Sequence, residues 1–442
     1  MQICALGEDT LMLRFGGNNS HIVPRYGIRD YGPFRSPKEN RIILRFVYPS
    51  KDAELKTLVS IFKDTFIQGG HKFPGFQQMY RLSDVEVLED VCINSKDLFR
   101  PSESTLANIV DEDRTIAPIP IYIVIIPPYP RWYHESPYYI LKAFLLKHGI
   151  LSQMLRTVTL KRGRNTIEET AFNVANAIFA KAGGEPWRLW SHVPSFSGKT
   201  DDVLLIGMGI SKIPLEPGQK EFYRYVGFTI AYSSEGQLLL IKTSVQEYEK
   251  QAVLKKMLQV LREIIQTFGT RRHSIDVIIH YSGKELSHEE ETAIQEQLRE
   301  CQKNLDVEIN YAILRIIRDV SYRIALENRY GYPPMASYMN IGERLILIYT
   351  NGELRGMTPL GVPRPLLVSI RSSNLHLESI DRVALTRSVT ELSRMNWRGT
   401  GPFNREPVTI KYSRLSAYLA AAFKEIAELS PEALPHDLPW FL

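Results

Sequence analysis

An α/β protein in two successive units is what this sequence predicts, and three observations predict it. Apolar strand-like runs alternate with amphipathic helical stretches from about residue 119 onward. Strand, helix, strand and helix follow one another in the first part of that stretch, the pattern of a compact Rossmann-like unit. A segment rich in Trp, Pro and Ser, from Glu185 to Thr200, then separates this unit from a longer α/β region.

Before the first unit, Arg41 to Tyr48 has the branched and aromatic content of a strand, and Asp52 to Ile67 has helical spacing. Ile119 to Ile126 reads as a buried strand that Pro127 and Pro128 end. Ser136 to His148 reads as a helix with Pro137 in its first turn and Gly149 at its stop. Gln153 to Leu160 reads as a strand. Thr166 to Ala182 reads as a helix, with Thr166 and Glu169 at capping-box spacing and Gly183-Gly184 closing it.

After the linker, Asp202 to Gly207 is a buried strand. Phe228–Tyr232 and Leu238–Ile241 form a hairpin around Ser233-Ser-Glu-Gly236. A long amphipathic helix spans Tyr248 to Phe268, a strand Ile275 to His280, and a polar helix His288 to Gln302. Strands near Val307–Ile313 and Leu345–Tyr349 and helices over Asp381–Ser393 and Ser413–Leu429 complete the reading. Strand, hairpin, helix, strand, helix is the order of an RNase H-like domain.

Composition narrows the function classes. The 442 residues are 44% hydrophobic and 23% charged, ordinary globular usage that excludes wholesale disorder. Cys4, Cys92 and Cys301 are far apart and in no Cys-x-x-Cys pair, which argues against a disulfide scaffold or zinc ribbon and for a reducing compartment. No basic leader precedes a long apolar run near Met1, and the longest apolar stretch falls short of a membrane span, so a cytoplasmic protein is expected. No Walker loop, Gly-x-Gly-x-x-Gly, His-Glu-x-x-His or Gly-x-Ser-x-Gly is present, and Gly207-Met-Gly209 reads as a strand end.

The net charge of +5 is mild, but it gathers in the first unit, where Arg156, Lys161, Arg162 and Arg164 accompany Lys142, Lys147 and Lys181. Tyr138 and Lys142 share a helical face, Gln153 opens the next strand, and Asn173 and Lys181 lie on the following helix. Phosphate binding needs a cation and several hydrogen-bond donors, because charge-assisted bonds to its oxygens are the strong ones. These residue types fit that task; unrelated surface residues are the alternative at this point.

The run Tyr138-Tyr-Ile-Leu-Lys142, then Ser152-Gln153, Asn173, and Lys181-Ala-Gly-Gly-Glu-Pro-Trp187 resembles the MID domain of Argonaute and Piwi proteins. The run from Ile22 to Phe34 resembles the family's N-terminal Tyr-Gly-Pro segment, and Met395 to Gly399 with Pro407 to Tyr412 resembles the last PIWI block. The ending Pro439-Trp-Phe-Leu442 matches the family's apolar C-terminus. The resemblance implies a segment at 1–115 leading into MID, a Rossmann-like MID core at 116–190, and an RNase H-like PIWI domain at 201–442. It implies that Tyr138, Lys142, Gln153, Asn173, Lys181 and Leu442 surround the 5′-phosphate of a guide strand, with Gln153 and Leu442 sharing a magnesium ion there. With room for MID and PIWI alone, the chain resembles a short prokaryotic Argonaute.

Departures from the family pattern matter as much. A slicing PIWI domain needs carboxylates to clamp two divalent ions. The matching positions hold Gly209, Ser282 (in His280-Tyr-Ser282-Gly283) and, after Lys411-Tyr412, Ser413 or Arg414. The resemblance therefore implies a catalytically inactive guided binder. Its expected guide is RNA, its target DNA, and its partner an APAZ-containing chain fused to an NADase or nuclease effector in prokaryotic defence. An active guided endonuclease with its carboxylates elsewhere, and a distant structural relative, are the other readings.

Overall fold

A computed structural model describes residues 2–49, 53–129, 136–161, 163–214, 223–247, 249–281, 286–427 and 429–442. In chain order the strands are β1 (Cys4–Ala5), β2 (Leu13–Arg14), β3 (Ser20–His21), β4 (Arg41–Pro49), β5 (Asp84–Val87), β6 (Val91–Ile93), β7 (Ile121–Ile126), β8 (Ser152–Arg156) and β9 (Arg188–Leu189). The longer strands of the second unit follow: β10 (Val203–Pro214), β11 (Tyr223–Ser233), β12 (Leu238–Glu247), β13 (Ser274–Tyr281) and β14 (Glu308–Ile317). Last come β15 (Ser337–Asn340), β16 (Leu345–Tyr349) and β17 (Leu366–Ser373). The helices used below are α1 (Pro24–Tyr31), α2 (Ala53–Gln68), α3 (Phe76–Tyr80), α4 (Thr105–Asp113), α5 (Pro137–Lys147), α6 (Thr157–Leu160), α7 (Arg164–Lys181), α8 (Lys250–Gly269), α9 (His288–Leu305), α10 (Arg382–Arg394) and α11 (Val408–Ala427).

The first unit is a parallel sheet in the order β5-β4-β7-β8, with β6 beside the far half of β4. Every residue of β7 is buried, as an inner parallel strand with helices on both faces requires. Residues 41–113 supply β4, β5, β6 and α2 to α4, so the expected division at 115/116 runs through this sheet instead of beside it. The remainder of the N-terminal segment serves other purposes. β2 pairs with β3 and with β9 of the linker, and β1 joins the second unit's sheet against β15.

Three boundaries differ from expectation for local reasons. The strand expected over Gln153–Leu160 ends at Arg156, because its one neighbour β7 ends opposite, and Thr157 to Leu160 turn into a helix. Thr166 does not cap α7, which starts at Arg164; Glu169 instead takes a bidentate bond from Arg25 of α1, a stronger partner for a carboxylate than a backbone amide. The helix expected from Ser413 begins at Val408, the β-branched run after Pro407 having disguised its first turn.

The second unit is a nine-stranded sheet in the order β1-β15-β16-β17-β14-β13-β10-β11-β12. β10, β13 and β14 run parallel and the flanking strands antiparallel, the expected RNase H-like arrangement. Alternation along β10 sorts the two cores. Leu204, Ile206 and Met208 face α8 and α9, whereas Val203 and Leu205 join the larger core of α10, α11 and the first unit.

Gly207 lies on that second face, where the start of α11 comes close. A Cβ there would stand 2.3 Å from the Thr409 carbonyl oxygen and 2.7 Å from Ile230 Cγ2. The Gly207-Met-Gly209 run is thus part of a strand, and its first glycine is what lets the helix approach. Gly207→Ala should destabilise the fold by about 1–3 kcal/mol, the usual cost of overpacking a core. Denaturant unfolding measures it, and an unchanged midpoint would show that α11 shifts freely.

Candidate functional site

Three elements converge where the two units meet. α5 carries Tyr138 and Lys142, β8 carries Gln153, and the last turn of α7 carries Lys181. Lys142 and Lys181 are both almost fully buried, an uncommon state for an ammonium group. Lys181 Nζ donates to Gln153 Oε1 at 2.6 Å and to the main-chain oxygen of Leu442 at 2.7 Å. Lys142 Nζ reaches the same Leu442 oxygen at 3.4 Å. Tyr138 sits half-buried one turn before Lys142, its ring edge-on to Tyr139.

Leu442 is brought there by apolar packing. Trp440 is buried beside Phe423 of α11, and Phe441 packs at 5.1 Å against the Tyr412 ring. These anchors hold the main chain of 442 over the lysines.

One further cation, Arg398, joins the group, with Lys411 beside it in turn, and sequence reasoning missed both. Arg398 is close enough to Lys142, Lys181 and Lys411 to depress their pKa values. Arg398 and Lys411 lie inside the Met395–Gly399 and Pro407–Tyr412 blocks, which were legible as signatures and not as cation donors. The structure supplies the reason for the first block. Trp397 N–H donates to Tyr412 of α11, its carbonyl accepts from Asn176 of α7, and Arg398 is thereby set over the lysines.

Asn173 is placed elsewhere. It is exposed on α7, two turns from Lys181, and its Oδ1 accepts from Thr400 N–H at 3.2 Å. It shapes the Arg398 loop and makes no bond to the lysine cluster. Of the remaining basic cluster, Lys161 pairs with Glu54 on the surface, and Arg162 lies outside the described residues.

Electrostatics define what the pocket can do. Burial pulls the Lys142 ammonium down to about 7, with Arg398 adding repulsion. Burial and then the charges of Lys142 and Arg398 hold Lys181 well below its usual range. Burial chiefly brings Lys411 to about 8. Among the described residues no group of three or more His, Cys, Asp or Glu side chains gathers to hold a metal. Lys142, Lys181 and Arg398 gather positive charge beside hydrogen-bonding groups, an arrangement suited to an anion.

Of the positions expected to be a degenerate slicer centre, Gly209 lies at the carboxyl end of a parallel strand and Ser413 lies on α11. Gly209 is buried in β10, one residue past the last pairing with β13, and brings no side chain. Ser413 is buried and spends its hydroxyl on the Thr409 carbonyl within α11. Ser282 lies outside the described residues. Next to them His280 bonds Thr409 Oγ1 at 2.8 Å and Ser388 Oγ at 3.0 Å, and burial pushes its pKa down to about 3, so its ring stays neutral.

No family model matches the chain. A curated relative, "Protein argonaute" from Cereibacter sphaeroides, is 26% identical over 94% of this chain and 55% of its own length. The chain resembles an Argonaute protein along nearly its whole length. It spans about half the length of that curated relative. The crystal structure of Drosophila Piwi has a TM-score of 0.68 at 14% identity, over 100% of this chain and 56% of that one. Clostridium butyricum Argonaute, in a structure with a guide DNA and a target DNA, has a TM-score of 0.66 at 16% identity, over 96% and 53%. These likenesses establish the fold, a Rossmann-like unit followed by an RNase H-like unit as in the MID and PIWI domains of those structures. No helix among the described residues is long and apolar enough to cross a membrane.

The depressed lysine gives a pH signature. Its folded pKa of about 7 lies below the ~10.4 of an unfolded lysine, so between these values the unfolded chain binds more protons. Through Lys142, the stability of the protein alone therefore rises with pH across that window, and the full penalty is present below pH 7. A bound dianion favours the protonated amine and reverses this. Sulfate, whose charge is constant, should raise the thermal midpoint more at pH 6.5 than at pH 8.5. Equal shifts would contradict an anion contact by Lys142.

Proposed function

We propose that this chain is a guided nucleic-acid binder that holds the 5′-phosphorylated end of a short guide RNA in the MID pocket and pairs it with complementary DNA. The observation that carries the reading is the pair of buried ammonium groups at Lys142 and Lys181, converging with Gln153 and beside Arg398. Burying two like charges costs several kcal/mol unless an anion joins them, and a terminal phosphate is a dianion of the right size. Tyr138 adds a hydroxyl and a ring at the mouth. Asn173 supports the Arg398 loop. Sequence would be read by base pairing, while the protein grips the backbone.

Magnesium fits this pocket by donor chemistry. Gln153 Oε1 and the Leu442 main-chain oxygen are hard oxygen donors, and both are drawn to one point by the Lys181 ammonium. With phosphate present, Gln153 and Leu442 would hold the ion and the lysines would turn to the phosphate oxygens. The ion supplies positive charge between the phosphate and Leu442.

The PIWI domain serves as a target-binding platform without cleavage. Support comes from Gly209, which offers no ligand, and Ser413, whose hydroxyl is committed within its own helix. Any enzymatic output then comes from a second chain, an APAZ-containing NADase or nuclease, in defence against invading nucleic acid in the prokaryotic cytoplasm.

Binding assays with 5′-phosphorylated and 5′-hydroxyl guides test the pocket. Lys142→Ala should remove most of the preference for phosphate, at a cost of about 1.5–3 kcal/mol for the lost charged hydrogen bond. Chelation of magnesium should weaken the phosphorylated guide selectively. Equal discrimination by wild type and variant would refute the assignment.

The loaded protein should leave a matched target intact in magnesium or manganese. Gly209→Asp alone should not change that, since one carboxylate cannot clamp two ions. Gel analysis of the target decides; a cut at a fixed position opposite the guide would overturn the inactive reading.

A further inference from the structure

At the carboxyl edge of the PIWI sheet, two segments outside the phosphate pocket combine exposed apolar side chains with arginines. Residue Ile317 at the end of β14 pairs with Leu367 at the start of β17, so the stretches 318–336 and 350–365 leave and enter the sheet at one edge. This is the edge at which the parallel strands β10 and β13 end their pairing and Gly209 follows. Open α/β sheets take their ligands outside the carboxyl ends of their strands.

Nine large apolar side chains are exposed among the described residues, and four of them, Tyr322, Met357, Leu360 and Val362, sit on these two segments. Leu360 is wholly exposed and Val362 is 61% exposed, on a loop whose Pro359, Gly361, Pro363 and Pro365 restrict or turn the backbone around them. Scattered apolar residues need no explanation, but four on two adjoining segments do. Arg405 staples the segments together by donating to the carbonyl oxygens of Arg318 and Pro365.

The surroundings are cationic. Burial lowers the Arg405 pKa, and the nearby charges of Arg364 and Arg323 add to that, against the pull of Glu406 and Asp319. Arg323 bonds only carbonyls of its own segment, and Arg364 makes no hydrogen bond or ion pair to any described residue. Unpaired guanidinium groups beside an apolar tip suit a polyanion that also offers flat apolar faces, which is a nucleic acid and not an acidic protein surface.

We propose that the 357–364 loop is a wedge, with Leu360 and Val362 inserting between neighbouring bases of the guide–target duplex while Arg364 and Arg323 hold its phosphates. This rests on the guided-binding reading above. Apolar side chains that insert between bases unstack one step and bend the duplex, and flanking cations pay for the distortion.

The test uses the full chain with a 5′-phosphorylated guide and a matched target that carries 2-aminopurine at one position after another. Wild type should brighten the probe at one step or two adjacent steps. The double variant Leu360→Ser, Val362→Ser, changed only at exposed positions, should keep the wild-type thermal midpoint, lose the brightening and bind duplex about tenfold more weakly. Arg364→Ala should lower the salt slope of binding by about one. Binding without brightening at any step, or equal brightening in the variant, would overturn the wedge and leave guided binding standing. Failure of wild type to bind phosphorylated guide would overturn both, and the binding curve alone reports it. A dimer that the double variant converts to monomer, with duplex binding unchanged, would assign the loop to a second copy and overturn the proposal.

Discussion

The joint between the two domains is governed by an electrostatic constraint: two ammonium groups are buried side by side with no carboxylate side chain to neutralise them. Each must find acceptors, and the nearest come from different parts of the chain, Gln153 from β8 and the main chain of Leu442 from the far end of PIWI. Satisfying the lysines therefore requires the two domains to be packed before the pocket exists. The apolar packing of Trp440 and Phe441 supplies the energy that the charges oppose, since each large aromatic buried is worth a few kcal/mol.

The same joint is braced by neutral hydrogen bonds set around buried aromatic rings. Asn176 takes a bond from Tyr80 of α3 and gives one to Trp397, Trp397 gives one to Tyr412, and Trp187 gives one to the Arg394 carbonyl. The buried Arg394 guanidinium in turn donates to carbonyls of Pro402, Ile22 and Leu11, so one side chain gathers the N-terminal segment and the loop before α11. Its pKa falls to about 10 through burial, and it stays charged under ordinary conditions. Pocket geometry is inherited from this network, because Arg398 hangs between Trp397 and Thr400, which are both tied to α7.

Much of this was legible in the chain itself, for physical reasons. Strand β7 is an uninterrupted apolar run because helices cover both its faces, and α8 shows its period because one side is wet. Lys142, Gln153 and Lys181 could be grouped because they lie on consecutive elements of one βα unit. What stayed hidden depends on long-range contact. Nothing local marks Arg398 as a pocket cation, since its position follows from bonds to Asn176 and Tyr412. Asn173 shares a helix with Lys181 and looked equivalent, yet two turns of rise carry it to another loop. The start of α11 was obscured because its first turn is β-branched, and β1 is too short to announce itself.

That short strand has a consequence for how the molecule is made. Cys4 and Ala5 hydrogen-bond to Tyr338 and Ser337, more than three hundred residues further along. A ribosome releases residue 4 more than three hundred residues before β15, so this outer rim of the PIWI sheet closes only after the intervening chain is out. Until then the backbone edge of β15 would present unpaired amides and carbonyls to any passing strand. Strand β1 acts as a built-in edge protector, made well before the strand it covers and applied when β15 appears.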